Sequence, residues 1–173
     1  MRLVARSKGQ LGFMTAYKLN GIFDLRATAK SLPEGVVACD IALIAGPEHV
    51  EGVLNQAAEY WDRNETLAKN RSIDLLMRIT CEKQIIEAVS ASGLSRTGAV
   101  AIFGYVGNES HIEKSEEIIR TFARDSEAKD ELLSLGQERQ NHLKEFHKLP
   151  VWLNRDQLLI ALKEKSVLLI FAK

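Results

Sequence analysis

Two largely hydrophobic runs, VVACDIALIA from Val36, broken only by Asp40, and AVAIFGYV from Ala99 to Val106, predict two buried strands. Residues 2 to 6 and 11 to 18 predict two shorter strands around Lys8-Gly9-Gln10. A short helix is predicted from Gly21 to Lys30, ahead of the Pro33-Glu34-Gly35 turn. Gly46-Pro47 opens a helix with proline at its first position. Val50, Val53, Leu54, Ala57, Ala58 and Trp61 then form a one-sided apolar stripe at helical spacing. Further on, Ile73, Leu75, Met77 and Ile79 alternate at period two and predict a strand, with Asp74, Leu76 and Arg78 on its other face. Thr80 reads as the N-cap of a helix carrying Ile85, Ile86 and Val89, which Gly93 closes.

The second half of the chain continues in mixed fashion. Asn108 is the predicted cap of an acidic helix whose Ile112, Ile119, Phe122 and Ala123 face inward while Glu109, Glu113, Glu116 and Glu117 face water. Leu132 to Leu135 predicts a short strand, followed by a helix with Leu143 and Phe146 that ends before Pro150. Asn154 and Gln157 have the spacing of a capping box for a helix bearing Leu158, Leu159 and Leu162. Ser166 to Ala172 predicts a terminal strand. The sum is one α/β (α+β) domain over residues 1–173, a mixed β-sheet with packed helices.

Composition narrows the function classes. With 46% hydrophobic and 27% charged residues the chain has the balance of a globular protein, which excludes disordered and collagen-like classes. Lys plus Arg and Asp plus Glu both total 23, so any nucleic-acid surface must come from local clustering of bases. Cys39 and Cys81 are isolated thiols without a CxxC pair, which fits a reducing compartment. No apolar run reaches the length of a signal peptide or a membrane span, so the expected location is cytoplasmic and no membrane contact is expected.

Motifs for catalysis are scarce. There is no GxSxG elbow, and Gly93 to Gly98 keeps the outer glycines of a phosphate loop but has Ala99-Val100 where Lys and Ser or Thr would be needed. His142 and His147 are five apart, whereas two metal ligands on one helix face sit three or four apart, so no metal or other cofactor is expected. His49 has no partner suggested by the sequence. Bases do cluster: Arg63, Lys69 and Arg71 in the polar connector, Arg78 at the end of the predicted strand, and Lys83 in the next turn, with Gln84 beside it to read base edges. Asp62, Glu65 and Asp74 lie among them, so structural ion pairs compete with a phosphate-binding role.

The order of elements and the segment Asp74-Leu-Leu-Met-Arg78-Ile-Thr80-Cys-Glu-Lys83-Gln84-Ile85, with His49-Val50 before it and Gly93-Leu94 after it, resemble the small accessory subunit of the KEOPS complex, the PRPK-binding protein family. The resemblance covers roughly residues 40–106 and, more loosely, 132 to the end. Cys81 and Glu82 depart from it, standing where archaeal relatives tend to have Gly and Gln. The resemblance implies a non-catalytic protein that binds the small atypical kinase subunit and tRNA, especially its 3′ end, in support of threonylcarbamoyladenosine modification. Arg78, Lys83 and Gln84 match the motif as tRNA-facing residues, with Lys69 and Arg71 added from local charge. Ile86, Val89 and Leu94 are the expected kinase-facing positions. On this reading Arg78→Glu weakens tRNA binding without unfolding the chain. The rival reading is a small-molecule enzyme or regulatory domain whose cleft at the strand ends joins His49 and Arg78.

Overall fold

The computed structural model describes residues 2–7, 10–19, 23–24, 30–92, 94–95, 98–107, 109–122 and 126–171. Its centre is an antiparallel sheet in the order β1 (Arg2–Ser7), β2 (Gln10–Lys18), β6 (Ala99–Val106), β4 (Val36–Asp40). A two-residue strand, β7 (Glu127–Ala128), pairs with Tyr17 and Lys18 of β2 beyond the last residue paired with β1. A separate two-stranded ribbon joins β3 (Phe23–Asp24) and β5 (Leu94–Ser95). The fold is a single α+β domain. Every described strand pairing is antiparallel, where a mixed sheet was expected.

Both sheet faces are covered, which explains the continuous apolar runs. Met14, Ala16, Val37, Cys39, Ala101, Phe103 and Tyr105 point to one face and pack under α1 (Pro47–Asp62), α2 (Arg71–Thr80) and α3 (Ile85–Ser92). Phe13, Tyr17, Val36, Ala38, Val100, Ile102 and Val106 point to the other, where Ile112 of α4 (Glu109–Phe122) closes the core. A smaller cluster of Ala45, Leu143, Leu158 and Leu162 joins α5 (Gln137–Phe146) and α6 (Arg155–Phe171) to the body.

Two glycines bring the 33–35 turn against the sheet. Gly35 has φ +83°, and its carbonyl accepts the Tyr105 N–H at 3.0 Å. Gly104 sits opposite Val36, and a Cβ there would lie 2.1 Å from the Gly35 oxygen, so no side chain fits.

Several sequence expectations hold. Pro47 begins α1, and Val50, Val53, Leu54, Ala57 and Trp61 are buried along it. The capping box is formed: Asn154 N–H donates to Gln157 Oε1 at 3.0 Å and Gln157 N–H to Asn154 Oδ1 at 2.9 Å. Ile112 is buried, while Glu113 and Glu117 are exposed. The expected Asn108 cap, the Gly93 breaker and Ala123 fall outside the described residues, as do the side chains of Glu109, Ile119 and Phe122. Most of the helix expected from Gly21 to Lys30 is outside them too, and its Phe23–Asp24 is strand.

Three expected strands are helical. Ile73 to Ile79 lies within α2, because Asn70 caps the Ile73 N–H at 3.1 Å and Asp74 and Arg78 form an i,i+4 ion pair that only a helix closes. Ser166 to Phe171 continues α6, whose buried stripe runs Leu158, Leu162, Ser166, Leu169. Asp130–Leu133 is a 3-10 turn that includes part of the expected Leu132 to Leu135 strand.

Candidate nucleic-acid and partner interface

The site begins with a buried polar node. Asp74 and Arg78 are both fully buried, with Arg78 Nε donating to Asp74 Oδ2 at 2.7 Å. The same carboxylate accepts Trp61 Nε1–H at 3.1 Å and the Leu67 N–H. Arg78 Cζ lies 5.1 Å from the centre of the Tyr60 ring, so the π face stabilises a cation whose Nη1 and Nη2 take no hydrogen bond among the described residues. Three donors to Asp74 and the Tyr60 ring thus fix the end of α1, the connector and α2 against one another.

This placement corrects the expectation for Arg78. As a helical residue on the core side of α2 it has no access to a phosphate, and Arg78→Glu would set two buried carboxylates against each other. The structural ion pair accounts for its charge. His49 is likewise buried; its Nδ1 accepts the Ala45 N–H at 3.2 Å, holding the turn that enters α1. Neither His49 nor Arg78 lines the groove or the notch described below, so among the described residues nothing joins the two at a cleft.

Beyond α2 the surface changes character. Cys81 takes the left-handed conformation (φ 53°, ψ 31°), with its N–H on the Arg78 oxygen at 3.3 Å and the Glu82 N–H on the Met77 oxygen at 3.1 Å. This closing motif, usually built on glycine, ends the helix abruptly. Thr80, expected to open the next helix, instead bonds back through Oγ1 to the Leu76 carbonyl at 2.8 Å. Lys83 and Gln84 therefore stand exposed in the turn before α3, followed by Ile85 and Ile86 at 47% and 80% exposure. Val89 is half-buried against the main core, and the side chain of Leu94 lies outside the described set. Of the two expected kinase-facing residues whose side chains are described, Ile86 and Val89, Ile86 is the one presented to solvent.

Glu82 carries a raised pKa from partial burial and the neighbouring Glu87, opposed by Lys165 and Lys148, which brings α6 and the α5–α6 loop beside this turn. Cys81 Sγ contacts the Leu162 carbonyl at 3.7 Å, and burial pushes its thiol up to about 12, so it is an unreactive packing group. Lys69 and Arg71 are exposed at the other end of α2. Arg71 Cζ stacks 4.9 Å from the centre of the Trp61 ring, the ring that Asp74 orients.

Other features had no counterpart in the sequence reading. Val151 and Trp152 protrude at 84% and 72% exposure from the α5–α6 loop, which the buried Lys144 fixes by donating to the Val151 carbonyl at 3.0 Å. A groove of about 970 Å³ runs between Ile41, Ala91, Leu132 and Phe146. Arg139 braces its wall through the carbonyls of Ile41, Leu132 and Ser134. A Pro-Val-Trp tripeptide between two helices is the signal that could have marked the protruding loop; nothing local marks the groove.

No protein-family model matches this chain, and no curated protein matches it. Among the described residues no helix is long and apolar enough to cross a membrane, and no group of three or more His, Cys, Asp or Glu is placed to hold a metal.

Proposed function

We propose that the chain is a non-catalytic accessory subunit of KEOPS type, binding the small atypical kinase subunit and the 3′ end of tRNA in support of threonylcarbamoyladenosine modification. The observation that carries the proposal is the turn between α2 and α3. It presents Lys83, Gln84 and Ile86 together, with neither Lys83 nor Gln84 drawn into an ion pair or side-chain hydrogen bond among the described residues. A cation for phosphate, an amide for a base edge and an apolar side chain for stacking or for a partner are the groups single-stranded recognition uses. The left-handed Cys81 adds support, because this is where the family's archaeal members tend to have Gly, the residue that conformation favours.

The tRNA edge in this proposal consists of Lys83 and Gln84, with Lys69 and Arg71 at the far end of α2; Arg78 acts only by holding the helix. The test is binding of unmodified tRNA, and of the same tRNA without its 3′ single strand, at two salt concentrations. Lys83→Glu is expected to weaken binding and to flatten the dependence of log K on log salt by about 0.7 for the lost contact. Equal affinity of the variant and the wild type, or of the two tRNAs, refutes the nucleic-acid half of the proposal. Pull-down of the kinase subunit by wild type and by Ile86→Asp tests the other half.

A further inference from the structure

A notch of about 260 Å³ opens where the end of β6, the 33–35 turn, the start of α2 and the first turn of α4 meet. Its lining includes Arg71, Gln10, His111, Gly107 and Glu34. The position of Arg71 follows from the core upward. Asp74 accepts the Trp61 indole N–H, the Trp61 ring supports the Arg71 guanidinium, and that cation lines the notch with no carboxylate in ion-pair distance among the described residues.

An arginine held on a ring loses less freedom when it binds, and its planar fork suits the oxygens of a phosphate better than a lysine ammonium would. The ring also shields one face of the cation from water, which strengthens its field toward the open side. A volume near the lower limit of small-ligand sites admits a phosphate group and little more. Gln10, which lines the same space, carries an amide donor.

We infer that this notch binds a phosphate group, with Arg71 as its cation, oriented by Trp61. Glu34 opposes the anion and sets the affinity low for a free ion, so that a phosphate ester bringing further contacts is retained in preference. The source is either a small phosphorylated ligand or the backbone of a nucleic acid; the second case rests on, and deepens, the proposed tRNA edge.

The test is a titration of the ¹⁵N-labelled protein with sodium phosphate against sodium chloride at equal ionic strength, following the Trp61 indole N–H and the Arg71 Nε–H by NMR. Saturable shifts specific to phosphate are expected. Arg71→Ala should weaken them about tenfold or more, Arg71→Lys should be intermediate, and Glu34→Gln should tighten binding severalfold. Retained dispersion of the remaining amide signals shows that each variant is folded. No phosphate-specific shift, or an Arg71→Ala variant that titrates like the wild type, overturns the inference.

Arms with a mononucleotide and with tRNA separate the sources. Phosphate binding lost in Arg71→Ala with tRNA affinity unchanged assigns the notch to a small phosphorylated ligand and removes Arg71 from the tRNA edge. Loss of both assigns it to a nucleic-acid phosphate. Loss of tRNA affinity in a protein that never bound phosphate overturns the notch while leaving the edge standing.

Discussion

Replacing Arg78 by Met removes the cation from a carboxylate that stays fully buried. Asp74 then keeps two donors, Trp61 Nε1–H and the Leu67 N–H, but no counter-charge. Leaving one member of a buried pair uncompensated costs about 3–5 kcal/mol, and for a domain of this size that lowers Tm by roughly 6 to 20 °C. Asp74→Asn alone should destabilise comparably, since it strands the Arg78 charge and removes an acceptor. The double variant should lose clearly less than the sum of the two, because no lone charge remains and the Asn oxygen still serves one donor. Urea unfolding followed by circular dichroism measures all three. At a temperature where Arg78→Met is folded, its tRNA affinity should equal that of the wild type, in contrast to Lys83→Glu. A loss below about 1 kcal/mol for Arg78→Met, or additive losses, would refute the buried node.

Two further outcomes follow from the core. His49 and His147 are both buried, with pKa lowered to about 3 and about 4; desolvation is the main cause, reinforced by His147 and Lys163 beside His49 and by Lys165 and His142 beside His147. The unfolded chain, with histidine near 6.5, binds more protons below that pH. This contribution is therefore complete above pH 6.5 and is lost as pH falls toward 4, by roughly 3 kcal/mol for the pair between pH 6.5 and 5. Urea midpoints across that range should fall accordingly, His49→Gln should halve the slope, and a flat profile would show that the imidazoles are accessible. Gly104→Ala pushes a methyl group into the Gly35 carbonyl and should destabilise by about 1–3 kcal/mol, read by the same unfolding assay; a neutral result would mean that the 33–35 turn can move away from β6.

β6 and the Val36–Asp40 half of the other apolar run were legible because burial on both faces leaves few polar positions, while the rest of that run, Ile41–Leu43, is a 3-10 turn capped by Asp40; α1 was legible because its stripe is one-sided. The same reasoning failed at α2 for a physical reason. From Asp74 to Thr80 every residue is buried, so the helix has no polar face to reveal its period, and Ile73, Leu75, Met77 and Ile79 alternate by coincidence. The informative signal is the pair Asp74 and Arg78 at i,i+4 behind an Asn cap; an ion pair with Asp74 is among the expectations, but on one face of a strand and not at helical spacing. At α6 the helical stripe passes through Ser166, a polar residue at a core position, and the following Val-Leu-Leu-Ile-Phe run imitates a strand.

The error at α2 had a direct consequence for function, because strand and helix project the same residue differently. On a strand, Arg78 and Asp74 share a face and Arg78 precedes Lys83 along an exposed edge. On the helix, Arg78 turns inward and Lys83 lies beyond the left-handed turn at Cys81, outside the ion-paired core. Arg71 opens α2 and Lys83 lies beyond its end, and the nine rises of 1.5 Å from Arg71 to Thr80 alone put about 14 Å between them along the axis. That separation exceeds the Debye length of about 8 Å at physiological ionic strength, so the two act as independent sites and not as one basic patch. In a chain of zero net charge, attraction of an anionic partner then depends on what each site does locally: a fixed guanidinium on Trp61 at one end, an exposed lysine beside apolar side chains at the other. The buried pair lies inside the helix between them, which is why Arg78 bears on stability and not on the surface it never reaches.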